Sequence, residues 1–178
     1  MIKAQEQRSP GAAGGVDVDV SDPERRLSDA ARAWLMDAVG RAVGLLGASG
    51  EVRVAVVGDA AMAAAHERHA GVPGTTDVLT FDMSEGRGGV LDVDVLVCVD
   101  EASRQAAARG HATERELLLY IIHGVLHCLG HDDHDESAAA RMHAEEDRVL
   151  EALGVGATFA RPEQPPHAER GGTPRSNS

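Results

Sequence analysis

The chain has 178 residues, 43 % of them apolar, and a formal charge of −12. That size suits one domain rather than two, and the acidic balance argues against non-specific binding to polyanions such as DNA. Two cysteines, Cys98 and Cys128, make no disulfide framework, and no apolar run has the length of a signal peptide or a membrane span, so a reducing, cytoplasmic setting is expected.

Residues 1–15 and 156–178 are expected to be disordered tails, the second rich in Pro, Gly and charge with little to bury. Between them, residues 16–155 form the domain. Val16–Val20 alternates with period two, as a half-buried strand does. Asp22-Pro23 predicts the start of a helix whose apolar positions, among them Leu27, Trp34, Leu35, Val39 and Leu46, recur at helical spacing until Gly47 and Gly50 end it. A Val-rich strand follows over 51–57, then a short Ala-rich helix capped by Asp59 and running to about His69. The loop 71–76 leads to a strand over 77–81. After the glycine-rich stretch 84–89 come a long strand over 90–99 and a helix capped by Asp100.

Thr113-Glu114-Arg115-Glu116 has the form of a capping box, in which hydroxyl and carboxylate each satisfy a free backbone N–H. It opens a strongly apolar helix that stops at Gly130, a natural left-handed terminator. A last helix runs over 137–153. The order of elements predicts an α+β fold, three-layer and α/β-like, with a mixed sheet of about four strands and four to five helices, and a metal site at the end of the His-bearing helix.

That site is read from His123-Gly-Val-Leu-His127-Cys-Leu-Gly130-His131-Asp132-Asp133-His134, where four histidines and two aspartates fall within twelve residues. Positions i and i+4 share one helix face, so the imidazoles of His123 and His127 can meet one cation, and the turn at Gly130 brings round a third ligand. Three protein ligands leave a fourth zinc position for solvent, which marks a catalytic rather than a structural site. Zinc peptidases place Glu directly after the first His; Gly124 stands there instead, which argues against peptide hydrolysis by that route.

The segment resembles the signature of the YbeY family, His-Gly-x-Leu-His-Leu-x-Gly-Tyr-Asp-His. Thr76-Asp77-Val78-Leu79-Thr80-Phe81 is similar to that family's Thr-Asp-Val-Leu-Ser-Phe, and Val93-Asp94-Val95 and Met142…Glu145-Glu146…Leu150 follow in family order. The resemblance implies a zinc-dependent, single-strand-specific endoribonuclease that matures rRNA, chiefly the 3′ end of 16S rRNA. It also implies single-stranded rRNA and the ribosome or its small-subunit proteins as partners, with one Zn²⁺ per chain. The family's third His falls ten residues after its first; here that slot is Asp133, with His134 one residue later, and either can be the third ligand. His131, in the family's Tyr slot, is a weaker candidate. Asp132 is the candidate general base, a role that also falls to whichever of Asp133 and His134 is not a ligand. The family's Arg, six residues before the Thr of its second hallmark, is replaced by Ala70, with Arg68 two residues off as the candidate substitute.

Asp77 and Thr76 either order a loop beside the metal or make a plain turn. Asp94 is either solvent-facing or the partner of a ligand imidazole. Cys128 is expected to be a buried, inert thiol, and His66 and His69 to lie at the surface. A zinc peptidase and a non-catalytic ribosome-assembly factor are the rival readings.

Overall fold

The computed structural model describes residues 15–84 and 88–159. Nine elements follow in the order β1 (Val16–Ser21), α1 (Asp29–Leu45), β2 (Ser49–Val57), α2 (Asp59–Ala70), β3 (Val78–Asp82), β4 (Val90–Cys98), α3 (Val99–Arg109), α4 (Thr113–Cys128) and α5 (Glu136–Ala152). The four strands form one mixed sheet in the order β1-β2-β4-β3, with β1, β2 and β4 parallel and β3 antiparallel at the edge. This is the expected α+β fold, and among the described residues no helix is long and apolar enough to cross a membrane.

Period-two alternation decides which face of the sheet is covered. Val52, Val54 and Val56 of β2 lie beside Val93, Val95 and Val97 of β4, and all six are buried under α1, α4 and α5. Their neighbours make the opposite face polar: Arg53 of β2 reaches Asp94 at 2.5 Å, Asp92 at 2.6 Å and Glu51 at 3.0 Å. Asp94 therefore faces solvent and holds an arginine, away from the imidazoles. Among the described residues, a third layer is made where α2 seats Met62 over Val57 and Cys98, with Leu79 and Leu96 packed alongside.

Helix α4 is apolar nearly all round, and an unbroken run from Glu116 to Ile122 is buried, as expected of a central helix. It is the element on which the others converge.

Several expected helix starts differ. Asp22 does not open α1; its carboxylate closes a turn onto the N–H groups of Arg26 and Leu27, and Ser28 caps the helix by accepting from Ala31. Asp59 and Asp100 lie inside their helices, whose caps are Gly58 and Cys98. The Asp59 carboxylate takes Arg104, while Asp100 takes Arg26 and the N–H of Asp59. The capping box at Thr113 is not formed: Ala112 is the cap and has no side-chain bond, because Glu116 is 0 % exposed and bound to Arg109. For Asp59, Asp100 and Glu116 an arginine takes the carboxylate from the local backbone N–H, whereas Asp22 spends its own on a turn ahead of the helix.

Gly50 does not end α1 but lies within β2, at φ +113°, where an added Cβ would stand 2.1 Å from the Leu91 carbonyl oxygen. The domain also runs past residue 155. Arg115 donates to the carbonyl oxygens of Val155, Gly156 and Ala157 at 2.7–2.8 Å. Asp147 accepts from the N–H groups of Thr158 and Phe159, and Phe159 stacks on His143 with ring centres 3.9 Å apart. The remaining parts of the expected tails, 1–14 and 160–178, lie outside the described residues.

Candidate metal centre

Helix α4 ends in a Schellman turn. Gly130, at φ +89°, lets the Gly130 N–H reach the His127 carbonyl and the His131 N–H reach that of Leu126. The chain then doubles back so that Asp133 faces the last turn of the helix it has just left. Asp132 orders this bend by accepting from the N–H groups of Asp133 and His134.

The imidazoles of His123 and His127 converge, with Nε2 atoms 3.1 Å apart and rings at 85°. The Asp133 carboxylate stands with Oδ2 3.9 Å from His123 Nε2 and Oδ1 3.9 Å from His127 Nε2. The ligand atoms of these three residues lie within 4.8 Å of one another. His134 is not in that group. It is 84 % exposed, and its Nδ1 is turned to the Asp132 carboxylate and stands 3.7 Å from Asp133. Asp132, Asp133 and His134 make a second, fully exposed group that shares Asp133. Arg68 is exposed on α2 and has no hydrogen bond or ion pair among the described residues.

The second partners of the two imidazoles settle their tautomers. His127 Nδ1 faces the His131 carbonyl at 3.1 Å, and a carbonyl only accepts, so Nδ1 carries the proton. His123 Nδ1 faces a Glu146 carboxylate oxygen at 2.8 Å, with the same consequence. Both Nε2 atoms then aim unprotonated lone pairs at one another, an arrangement that repels unless a cation or a shared proton lies between them. Two zinc ligands at about 2.0–2.1 Å and a tetrahedral angle stand about 3.3 Å apart, close to the 3.1 Å observed.

Charge tells the same story. Glu146 is 0 % exposed, and its Oε2 has no hydrogen-bond partner. A buried carboxylate is costly unless compensated. Burial lowers the His123 pKa, but the Glu146 hydrogen bond and the charges of Glu146, Asp133 and Asp77 outweigh it and leave the pKa raised. The pocket thus gathers the Glu146 and Asp133 carboxylates around two imidazoles, and the residues present fit a divalent cation.

Glu146 was missed as a site residue by sequence reasoning. The available signal was its place in the Met142…Glu145-Glu146…Leu150 match and its position on the inner face of α5 beside Met142, Val149 and Leu150. Gly124 has a structural role besides. A Cβ there would lie 2.2 Å from Thr80 Oγ1, so the edge strand β3 seats its hydroxyl where a zinc peptidase carries its glutamate. Cys128 is half-buried, and burial pushes its thiol up to about 11, which leaves it inert. His66 is half-buried with Nδ1 on the Gly74 carbonyl, while His69 is exposed with its ring edge on Phe81.

Comparison with known proteins gives the same direction. A family model described as endoribonuclease YbeY matches residues 17–154. An endoribonuclease YbeY from Acidothermus cellulolyticus is 39 % identical over 150 residues, covering 78 % of this chain and 85 % of that protein. One from Mycobacterium ulcerans is 40 % identical over 111 residues, covering 57 % of this chain and 62 % of its own length. The fold is similar to the solution structure of a Thermotoga maritima protein, with a TM-score of 0.53 at 22 % identity over 77 % of this chain and 91 % of that one.

Proposed function

Since the chain belongs to the endoribonuclease YbeY family, we propose that it is a cytoplasmic, metal-dependent hydrolase that cuts single-stranded RNA during rRNA maturation, at the 3′ end of 16S rRNA. The observation that carries this reading is the convergence of His123 Nε2, His127 Nε2 and the Asp133 carboxylate on one point. Two imidazoles and a carboxylate suit zinc, and one Zn²⁺ per chain is the proposed cofactor. When bound, the cation supplies stabilisation of charge on a phosphodiester oxygen and a nucleophile near neutral pH.

The remaining work falls to the chain. Glu146 and the His131 carbonyl hold the two imidazoles in the tautomer that leaves Nε2 free. His134, exposed and backed by the Asp132 carboxylate, is the proton-transfer group, with Asp132 as its orienting partner in place of acting as the base itself. The family's Arg slot is Ala70, and Arg68 makes no contact that would assign it a role. The excess of negative charge suits basic small-subunit ribosomal proteins as docking partners, with RNA presented on the ribosome.

The test is incubation of purified protein with single-stranded and duplexed rRNA fragments, with and without chelator, alongside His127→Ala. Cleavage of single strands that stops with chelator and in the variant is expected. No cleavage, or cleavage indifferent to chelator, overturns the proposal; ribosome binding kept without cleavage turns the reading to a non-catalytic assembly factor.

A further inference from the structure

One helical turn before His123, α4 places Tyr120 at the wall of a separate polar cleft of about 380 Å³. The 75–77 segment and Glu101, Gln105 and Arg109 of α3 complete the lining. Tyr120 is 7 % exposed, yet its hydroxyl has no hydrogen-bond partner among the described residues. Burial, with the charges of Glu116 and Asp77, raises its pKa well above the usual phenol range, so the hydroxyl stays a donor at neutral pH. Tyr120 and the metal-binding His123 lie one turn apart on α4, which sets the cleft next to the metal-binding group.

The chemistry of the lining narrows the ligand. Arg109 spends Nη1 on the buried Glu116 carboxylate at 2.5 Å, so its charge is already matched. Asp77 and Glu101 make the remainder acidic, and a phosphate is repelled. Acceptors dominate: Asp77 commits Oδ1 to the Thr76 hydroxyl and the Val78 N–H and leaves Oδ2 open. Gln105 donates its amide to Glu101 at 2.8 Å, which leaves its carbonyl oxygen for a ligand. A hydroxyl donor open to the cleft beside carboxylate and amide acceptors is the complement of a base edge that carries a ring acceptor next to an exocyclic amino group.

We propose that this cleft receives the base of one nucleotide beside the scissile bond, and that it selects amino-bearing bases over uracil. Cytosine and adenine offer one acceptor to Tyr120 and one amino group to Asp77; guanine offers its carbonyl and its N–H donors. Uracil also offers a carbonyl to Tyr120 and its one N–H to Asp77, but it has no second N–H for the free Gln105 carbonyl oxygen, which each of the other three bases can supply. This assignment rests on the single-stranded RNA reading above and adds the part of the substrate that the chain recognises.

Cytidine and uridine differ at this edge but share ring size, so they isolate the effect. Metal-free, full-length protein is titrated in chelator with tetranucleotides of cytidine and of uridine, and binding is followed by amide NMR shifts. The cytidine ligand is expected to bind about tenfold more tightly, the scale of one well-made base contact, with shifts at residues 75–77 and 120. Tyr120→Phe weakens cytidine binding, and Asp77→Asn, which presents an amide donor, narrows or reverses the preference. Equal affinities, shifts confined to other residues, or an unchanged preference in Asp77→Asn overturns the proposal. The readout needs neither metal nor turnover. A protein that cuts single strands yet binds both ligands alike loses only the base cleft; one that discriminates them yet cuts nothing loses only the nuclease reading.

Discussion

Replacing Glu146 with Gln tests whether a buried carboxylate has been retained for the metal rather than for the fold. The substitution preserves shape and keeps an oxygen to accept from His123 Nδ1, now 2.8 Å from Glu146 Oε1. It removes a negative charge from a site where Oε2 finds no partner. Outer partners of ligand histidines typically account for 10–100-fold in metal affinity, about 1.4–2.7 kcal/mol. Zinc affinity is therefore expected to fall by about that factor, measured by competition with a chromophoric chelator. The metal-free protein has the opposite expectation. Neutralising a carboxylate with an unsatisfied oxygen relieves its desolvation, so the apo melting temperature stays level or rises. Two results would refute the reasoning. Zinc affinity within about threefold of the parent would mean that the Glu146 charge does not reach the cation. A loss of several kcal/mol in the metal-free protein, on the scale of about 3–5 kcal/mol for breaking a buried pair, would make Glu146 a structural residue.

Asp133→Ala is expected to cost at least about 100-fold in zinc affinity, more than losing an outer partner, while His134→Ala leaves affinity near the parent and lowers RNA cleavage by about 10²–10⁴; reversed affinities would make His134 the ligand. Gly124→Ala sets overpacking of about 1–3 kcal/mol against a helix-propensity gain of about 1 kcal/mol. In a Thr80→Ala background the clash with Oγ1, at 2.2 Å, is gone, so urea titrations of the four proteins should show a coupling of about 1–3 kcal/mol, and additivity would refute the contact. The Arg104 hydrogen bond holds the Asp59 carboxyl at about 2, below its ordinary 3.8. A depressed folded pKa contributes stability above the unfolded value that is lost as pH falls through the folded one. The stability gap between parent and Asp59→Asn should therefore be full above about pH 4 and close towards pH 2; a gap that widens with acid contradicts the pairing.

The strands and helices were legible because each rests on one repeating pattern. Valines at every second position of β2 and β4 and an apolar run in α4 leave few alternatives. The pair of imidazoles was legible for the same reason, since helix geometry alone puts 123 above 127. What failed was local: Asp22, Asp59, Asp100 and Thr113 all stand where a cap is expected, and none caps as expected. Asp59 and Asp100 bind arginines from distant segments, and Glu116 binds Arg109 on the preceding helix, so none of the three partners lies within the few residues of a cap. Glu146 escaped for a related reason. Its partner His123 lies on another helix, and a Glu beside Met142 and Leu150 reads as a surface residue until α5 is laid against α4. Whether 133 or 134 faces the imidazoles depended on the path of the seven-residue segment 129–135, which spacing alone left open.

The atom that fixes the tautomer of His127 belongs to the main chain. Because the donor is met by the peptide oxygen of residue 131, any amino acid except proline, which lacks the N–H that reaches Leu126, can serve at that position, provided Gly130 keeps the reversal intact. The side chain there is thereby released from the duty of coordination, and can differ between relatives, tyrosine in the family pattern and histidine here, without disturbing the ring it steadies. Mutational robustness at 131 and intolerance at 130 are two faces of one hydrogen-bonded reversal.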